Sequence, residues 1–262
     1  MSLDLCRVVL VETHYAGNIG ATARIMRNMG VRKLVLVNPI ADPGDRQAQQ
    51  MSTQGDPLLR DARIVTTFDD AVADCVLVAG TSARTGGPVR RQSVGTPEAI
   101  MPAVVDVLRR GQLAALVFGP EPNGLDDETI TRCHYLIRIP TGDEYPSLNL
   151  AQAVAICLYE LGKAAAVGDP AGVATVPGDA GSVTHQEIAS FAEQEQMFSQ
   201  LRTALHEIHF LYGDKADPLM HAVRHLLGRA RPSIMEVKVL LGLARQIRWY
   251  VANHPSKTGE GV

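Results

Sequence analysis

Residues 6–12 read CRVVLVE, in which Val8–Val11 form an unbroken run of apolar and mostly β-branched side chains. A strand buried on one face alternates apolar and polar residues. An unbroken apolar run means burial on both faces, the mark of a parallel sheet covered by helices. Four more such runs follow, at Lys33–Asn38, Cys75–Thr81, Leu113–Gly119 and Tyr135–Ile139, with a weaker sixth at Ala62–Thr67. Helical patterns lie between them. Asn18–Met29 carries apolar Ala21, Ile25 and Met29 at i, i+4, i+8, and Gly30 sits where a helix-ending glycine belongs. Thr96-Pro97 opens a helix to about Arg110, Asp126 caps a short one to Cys133, and Ser147 begins a long one. Strand–helix alternation of this kind predicts an α/β fold with a mostly parallel sheet.

The text changes at residues 167–183, which are small and Gly/Pro-rich, with aspartate the only charged residue type. This stretch reads as a flexible linker. Three helices are expected beyond it, at about 185–211, 216–229 and 234–251. Thr184/Glu187 and Ser233/Glu236 are spaced as capping boxes for the first and last. The domain reading is therefore 1–166, linker 167–183, and a helical extension 184–262. With 46% hydrophobic and 20% charged residues the chain can bury a core of this size. The formal net charge of −3 removes the argument that a basic protein would give for nucleic acid, but a local basic face remains open. Cys6, Cys75, Cys133 and Cys157 show no CxxC pair and no zinc spacing, so they read as buried hydrophobes in a reduced compartment. The first apolar run is too short for a signal peptide, and no stretch of about 18 apolar residues exists to span a membrane. A cytoplasmic protein is expected.

Four strand ends carry chemistry-bearing residues. After the first strand comes HYAGNIGATARIMRNMG, residues 14–30. Asn18 is placed to cap a helix, whose N-terminal N–H groups favour an anion. Arg24, on one face with Gly20 and Arg27/Asn28, admits two readings: a planar fork for phosphate, or a solvated surface arginine. The loop is not GxGxxG, which argues against a dinucleotide enzyme. After the fourth long run comes GPEPNGL, residues 119–125. It is a rigid Gly/Pro loop with Glu121 at the strand edge, equally readable as a surface turn. After Ile139-Pro140 comes Tyr145-Pro146-Ser147-Leu148-Asn149, where Ser147 alone would be only a cap. Thr81-Ser82-Ala83-Arg84 ends another strand. Several such ends in one sheet argue for a ligand crevice better than any one alone.

HYAGNIGATARIMRNMG, LVFGPEPNGL and IPTGDEYPSLNLAQAVAI resemble, in order, the three motifs of the SPOUT (SpoU/TrmH-like) RNA methyltransferases. The resemblance covers roughly residues 5–165 and implies a deep trefoil knot at the C-terminal end of that domain. Knots are nearly absent elsewhere. It also implies a homodimer whose site combines both subunits, and a bent S-adenosylmethionine, released as S-adenosylhomocysteine, with no metal. Thr81, Ser82, Gly119, Pro120, Gly124, Ile139 and Leu148 would hold that cofactor. Asn18, Arg24, Glu121, Ser147 and Asn149 match the family's catalytic set. Arg24 would grip phosphate and the attacking oxygen, Asn18 and Ser147 would orient the nucleotide, Asn149 would brace the site, and Glu121 would hold Arg24 or a supporting donor.

RHLLGRARPSIMEVKVLLGLARQI in the tail resembles the branch that methylates the ribose at position 32 of the tRNA anticodon loop, on cytidine or uridine. Thr81–Arg84 fits that branch, whereas Pro120 stands where its members often carry Arg. Six of the eight histidines fall after residue 184, together with Arg224, Arg229, Arg231, Lys238, Arg245 and Arg248. They suggest a face for the anticodon arm, the other reading being a solvated helix surface. His14 reads as a loop residue rather than a metal ligand, and Trp249 as packed within the tail. Rival functions are 2′-O-methylation of another tRNA position or of ribosomal RNA, and, of a different class, an RNA-binding protein without turnover.

Overall fold

The computed structural model describes residues 3–84, 93–142, 144, 146–167 and 187–254. The expected linker beyond Val167, together with Tyr145 and Thr184, lies outside the described residues. The chain divides into two compact units, Met1–Gly181 and Ser182–Val262.

The first unit is a seven-stranded sheet in which every pairing is parallel. Its strands are β1 (Cys6–Val11), β2 (Lys33–Val37), β3 (Arg63–Val65), β4 (Leu77–Thr81), β5 (Val94–Gly95), β6 (Ala114–Phe118) and β7 (Tyr135–Ile137). The order is β3-β2-β1-β6-β4-β7-β5. The apolar runs became strands for the expected reason: Val8, Val9, Leu10, Leu77, Leu116 and Val117 are wholly buried. β1 sits near the middle, pairing Val8 with Leu34 on one side and with Leu116 on the other. The chain runs outward from β1 through β2 to β3, then resumes beyond β6 with β4. The strand order therefore reverses beside β1, which places a crevice at the C-terminal ends of β1 and β6.

The helices of this unit are α1 (Ala16–Asn28), α2 (Arg46–Ser52), α3 (Asp56–Arg60), α4 (Phe68–Val72), α5 (Pro97–Arg109), α6 (Asp127–Arg132) and α7 (Leu150–Ala166). Thr96 caps α5 and Asp126 caps α6 as expected. The buried face of α1 is Ile19, Ala23 and Met26, with Ala21, Ile25 and Met29 only half-buried, so the expected face was one position off. α1 packs on α2 and α7. The α2 crossing is close: a Cβ at Gly20 would lie 2.0 Å from the Ala48 carbonyl oxygen. All four cysteines are buried, and burial pushes each thiol up to about 12, so none ionises at neutral pH.

The second unit contains α8 (Phe191–Glu207), α9 (Ala216–Ala230) and α10 (Ile234–Asn253) around Met197, Phe198, Leu201, Ala204, Leu211 and Val237. Ser233 and Glu236 form the expected capping box. The first helix does not begin at a Thr184/Glu187 box. Glu187 and Ala189 instead exchange backbone hydrogen bonds with Ile234 and Pro232, and the helix starts after Ser190, boxed with Glu193. Trp249 is not packed in: it is 54% exposed, its ring edge-on to His254 at 6.2 Å.

Candidate active site

The loops that follow β4, β6 and β7 enclose a cavity of ≈360 Å3 at the sheet's C-terminal edge, within the range of small-molecule sites. Thr81, Ser82, Gly119, Pro120, Gly124, Ile139 and Leu148 all line it, as do Glu121 and Ser147. Its walls are tied together by hydrogen bonds. The Thr81 hydroxyl donates to the Val117 carbonyl at 3.2 Å, and Ser82 N–H donates to Ile137 at 3.1 Å. Arg84 reaches across to the Leu125 carbonyl at 2.6 Å and to Asp127 at 2.7 Å. The loop after β6 turns back on itself: Gly124 N–H donates to the Pro120 carbonyl at 2.8 Å, and Gly124 adopts φ +66°. A Cβ at Gly119 would lie 2.2 Å from the Leu125 nitrogen. Glycine at these two positions lets the loop close on itself beside the cavity. Apolar Phe118, Ile137, Ile139 and Leu148 supply flat-ligand surface, and the loop backbone supplies polar edges.

Polar side chains gather beside this cavity. Glu121 accepts from His14 N–H at 2.9 Å and from the Asn18 amide at 2.7 Å. Asn149 donates its amide to Asn18 Oδ1 at 3.0 Å. Three expectations are corrected or narrowed here. Asn18 does not cap α1; it lies within the first turn, after Tyr15, and its side chain turns to Glu121 and Asn149 instead. Ser147 does not begin α7; Asn149 caps it in a box with Gln152, and Ser147 remains exposed on the cavity rim. Arg24 is not held by Glu121. It is exposed on α1, and its guanidinium makes no hydrogen bond or ion pair with a described residue. It stands six residues beyond Asn18, about 9 Å along the helix axis.

The profile of the SpoU rRNA Methylase family matches residues 6–159, and the C-terminal domain profile of the tRNA methyltransferase TrmJ matches residues 192–257. A curated relative from Pseudomonas aeruginosa is 37% identical over 92% of this chain and 93% of its own length. It is named tRNA (cytidine/uridine/adenosine-2′-O-)-methyltransferase TrmJ. The chain belongs to the SpoU methylase family. A second relative, from Yersinia enterocolitica, named tRNA (cytidine/uridine-2′-O-)-methyltransferase TrmJ, is 36% identical over 92% of this chain and 90% of its own. The crystal structure of TrmJ from Z. mobilis ZM4 superposes with a TM-score of 0.76 at 28% identity, covering 92% of this chain and 98% of that one.

In this SpoU methylase the tail's cations divide. Arg224 pairs with Glu195 and lies 4.3 Å over the Phe198 ring, and Arg248 pairs with Glu207, so both serve packing. Arg229, Lys238 and Arg245 are exposed and make no ion pair with a described residue. His225 is held below its ordinary value by burial and then by Arg229, which favours its neutral form. The sequence reading missed His14 N–H, Gln152 and the Arg84 strap. Gln152 was legible, since Asn149-x-x-Gln152 has capping-box spacing. The other two are contacts between distant segments and leave no local signal.

Proposed function

We propose that this SpoU methylase is a cytoplasmic, S-adenosylmethionine-dependent tRNA ribose 2′-O-methyltransferase. Its target would be position 32 of the anticodon loop, with a cytidine or uridine there. The observation that carries this reading is the cavity itself. Residues from three strand ends converge on it, and a backbone cradle at Gly119–Gly124 adjoins the Glu121–Asn18–Asn149 cluster. The likeness to the named TrmJ proteins runs through both units of the chain and supports the substrate. In domain terms, 1–166 carries the chemistry, 167–183 links, and 184–262 binds the anticodon arm.

S-adenosylmethionine, when bound, supplies an electrophilic methyl group. The cavity residues fit it: apolar Ile139 and Leu148 suit the adenine ring, and backbone at Gly119, Pro120 and Gly124, with Thr81 and Ser82, suits its polar edges. The protein's own contribution is position and charge. A ribose hydroxyl is a poor nucleophile, so negative charge developing on its oxygen must be stabilised. Arg24, exposed on α1, grips the adjoining phosphate and that oxygen with its planar guanidinium fork. Asn18 and Ser147 orient the nucleotide, and Asn149 braces Asn18. The separation of Arg24 from the Glu121 cluster supports a homodimeric site built from two copies. The inward placement of β6 and β7, each between earlier strands of the sheet, supports the knotted topology.

The test is a tRNA transcript carrying 2′-deoxyribose at position 32 only. With labelled methyl donor the ordinary transcript takes up label and the deoxy transcript takes up none. Equal labelling of both would remove the position-32 ribose assignment.

A further inference from the structure

The polar cluster beside the cavity is a chain of hydrogen bonds with a direction. At one end, Asn149 Oδ1 accepts from the backbone N–H groups of Ala151 at 2.9 Å and Gln152 at 3.4 Å, the first turn of α7. Its amide nitrogen therefore faces outward and donates to Asn18 Oδ1 at 3.0 Å. Asn18 in turn presents its own amide nitrogen to Glu121 Oε1 at 2.7 Å. At the other end Glu121 Oε2 accepts from the backbone N–H of His14 at 2.9 Å. Both ends of the chain are backbone donors, which cannot reverse. A carboxamide passes the direction along, since it has one accepting and one donating end. A chain bounded by donors at both ends must contain one member that accepts on both sides and donates on neither. Glu121 is that member.

We infer that Glu121 is a positioning residue whose two acceptor oxygens set the orientation of the Asn18 and Asn149 amides, and through Asn149 the cap of α7. A glutamine at 121 would bring its NH2 against either His14 N–H or the Asn18 NH2. In the second case Asn18 and then Asn149 must turn over, and Asn149 then offers a donor to the donors of α7. The loops after β1 and β6 and the start of α7 are thus held in register by one polarity rule. The consequence for turnover rests on the methyltransferase reading; the consequence for folding does not.

The rule makes an unusual demand: the two-acceptor member can be moved one place along. In the double variant Glu121→Gln/Asn18→Asp, His14 N–H meets the carbonyl oxygen of the carboxamide introduced at position 121. The NH2 of that carboxamide donates to the carboxylate introduced at position 18, which still accepts from Asn149. The full-length single and double variants are compared by thermal unfolding and by hydrogen exchange of the Ala151 and Gln152 amides. Each single variant should lower Tm by roughly 2–4 °C, the shift expected for one lost part-buried hydrogen bond, and Glu121→Gln should speed exchange at both amides, whereas Asn18→Asp, which still accepts from Asn149, should not. The double variant should regain most of the Tm and the slow exchange. Additive losses in the double variant, or unchanged exchange in Glu121→Gln, would overturn the inference. Wild-type protein that transfers no methyl group to tRNA would count against the proposed function and leave these folding results as stated.

Discussion

The polar groups at the mouth of the cavity and the outer faces of the C-terminal helices follow opposite designs. Beside the cavity, Glu121, Asn18 and Asn149 satisfy one another and two backbone segments, and Gly119 admits no side chain. On α10, Met235, Val239 and Leu243 are 61%, 69% and 52% exposed at i, i+4, i+8, beside exposed Lys238 and Arg245. A site for a small ligand gains from donors and acceptors fixed in advance, because little ordering is left for the ligand to drive. A surface for an RNA arm gains from long, uncommitted side chains that adapt to backbone phosphates and stacked bases. Arg24 lies in the first unit yet shares the uncommitted character of the second. Under the proposed function this suits a group that waits for RNA rather than for cofactor.

The largest effect expected from this contrast is at Arg24. Arg24→Ala should lower turnover by about 10²–10³-fold while S-adenosylhomocysteine affinity stays unchanged, as read by steady-state kinetics and calorimetry. Equal loss of cofactor binding would place Arg24 with the fixed groups and break the contrast. Gly119→Ala should do the reverse. Its Cβ collides with the Leu125 backbone, costing about 1–3 kcal/mol of stability and most of the cofactor affinity. Replacing Lys238 and Arg245 together by alanine should leave Tm nearly unchanged but weaken tRNA binding. The slope of log affinity against log salt should shallow by about one for each phosphate contact removed.

The smallest effect concerns the fixed unit's Arg7, buried and paired with Asp74 at 2.6 and 2.9 Å. The Arg7 hydrogen bond, opposed by partial burial, holds the Asp74 carboxyl below the usual carboxylate value. A depressed folded-state value means stability that is fully present above the ordinary value and lost as pH falls through the lowered one. The Tm difference between wild type and Asp74→Asn should therefore be steady above about pH 5 and close below about pH 4. A difference that persisted into strong acid would show that the pair contributes through shape rather than charge.

The same contrast explains what was legible in the sequence. The strands could be read because burial on both faces leaves continuous apolar text, as in Val8–Leu10 and Leu116–Phe118. β5 has only two residues, and α2 buries only Ala48 and Ser52, so neither wrote a pattern. Glycine and proline at the strand ends marked the loops of a crevice, but the cavity residues themselves were named by the resemblance to the family motifs. Their partners could not be read. Asn18 read as a helix cap because local spacing cannot show a carboxylate 103 residues away, and the resemblance left Glu121 between Arg24 and a supporting donor without naming Asn18. Trp249 was expected inside because aromatics usually pack; in this small helical unit α10 turns it outward.

The central claim is transfer of a methyl group to one ribose of the anticodon loop. Its most direct test is nucleoside mass spectrometry of unmodified tRNA transcripts incubated with the protein and methyl-labelled S-adenosylmethionine, with RNase mapping of the label. The account predicts a 2′-O-methyl nucleoside mapping to position 32. Label on a base, or no label from a protein that binds the cofactor and the tRNA, would contradict it.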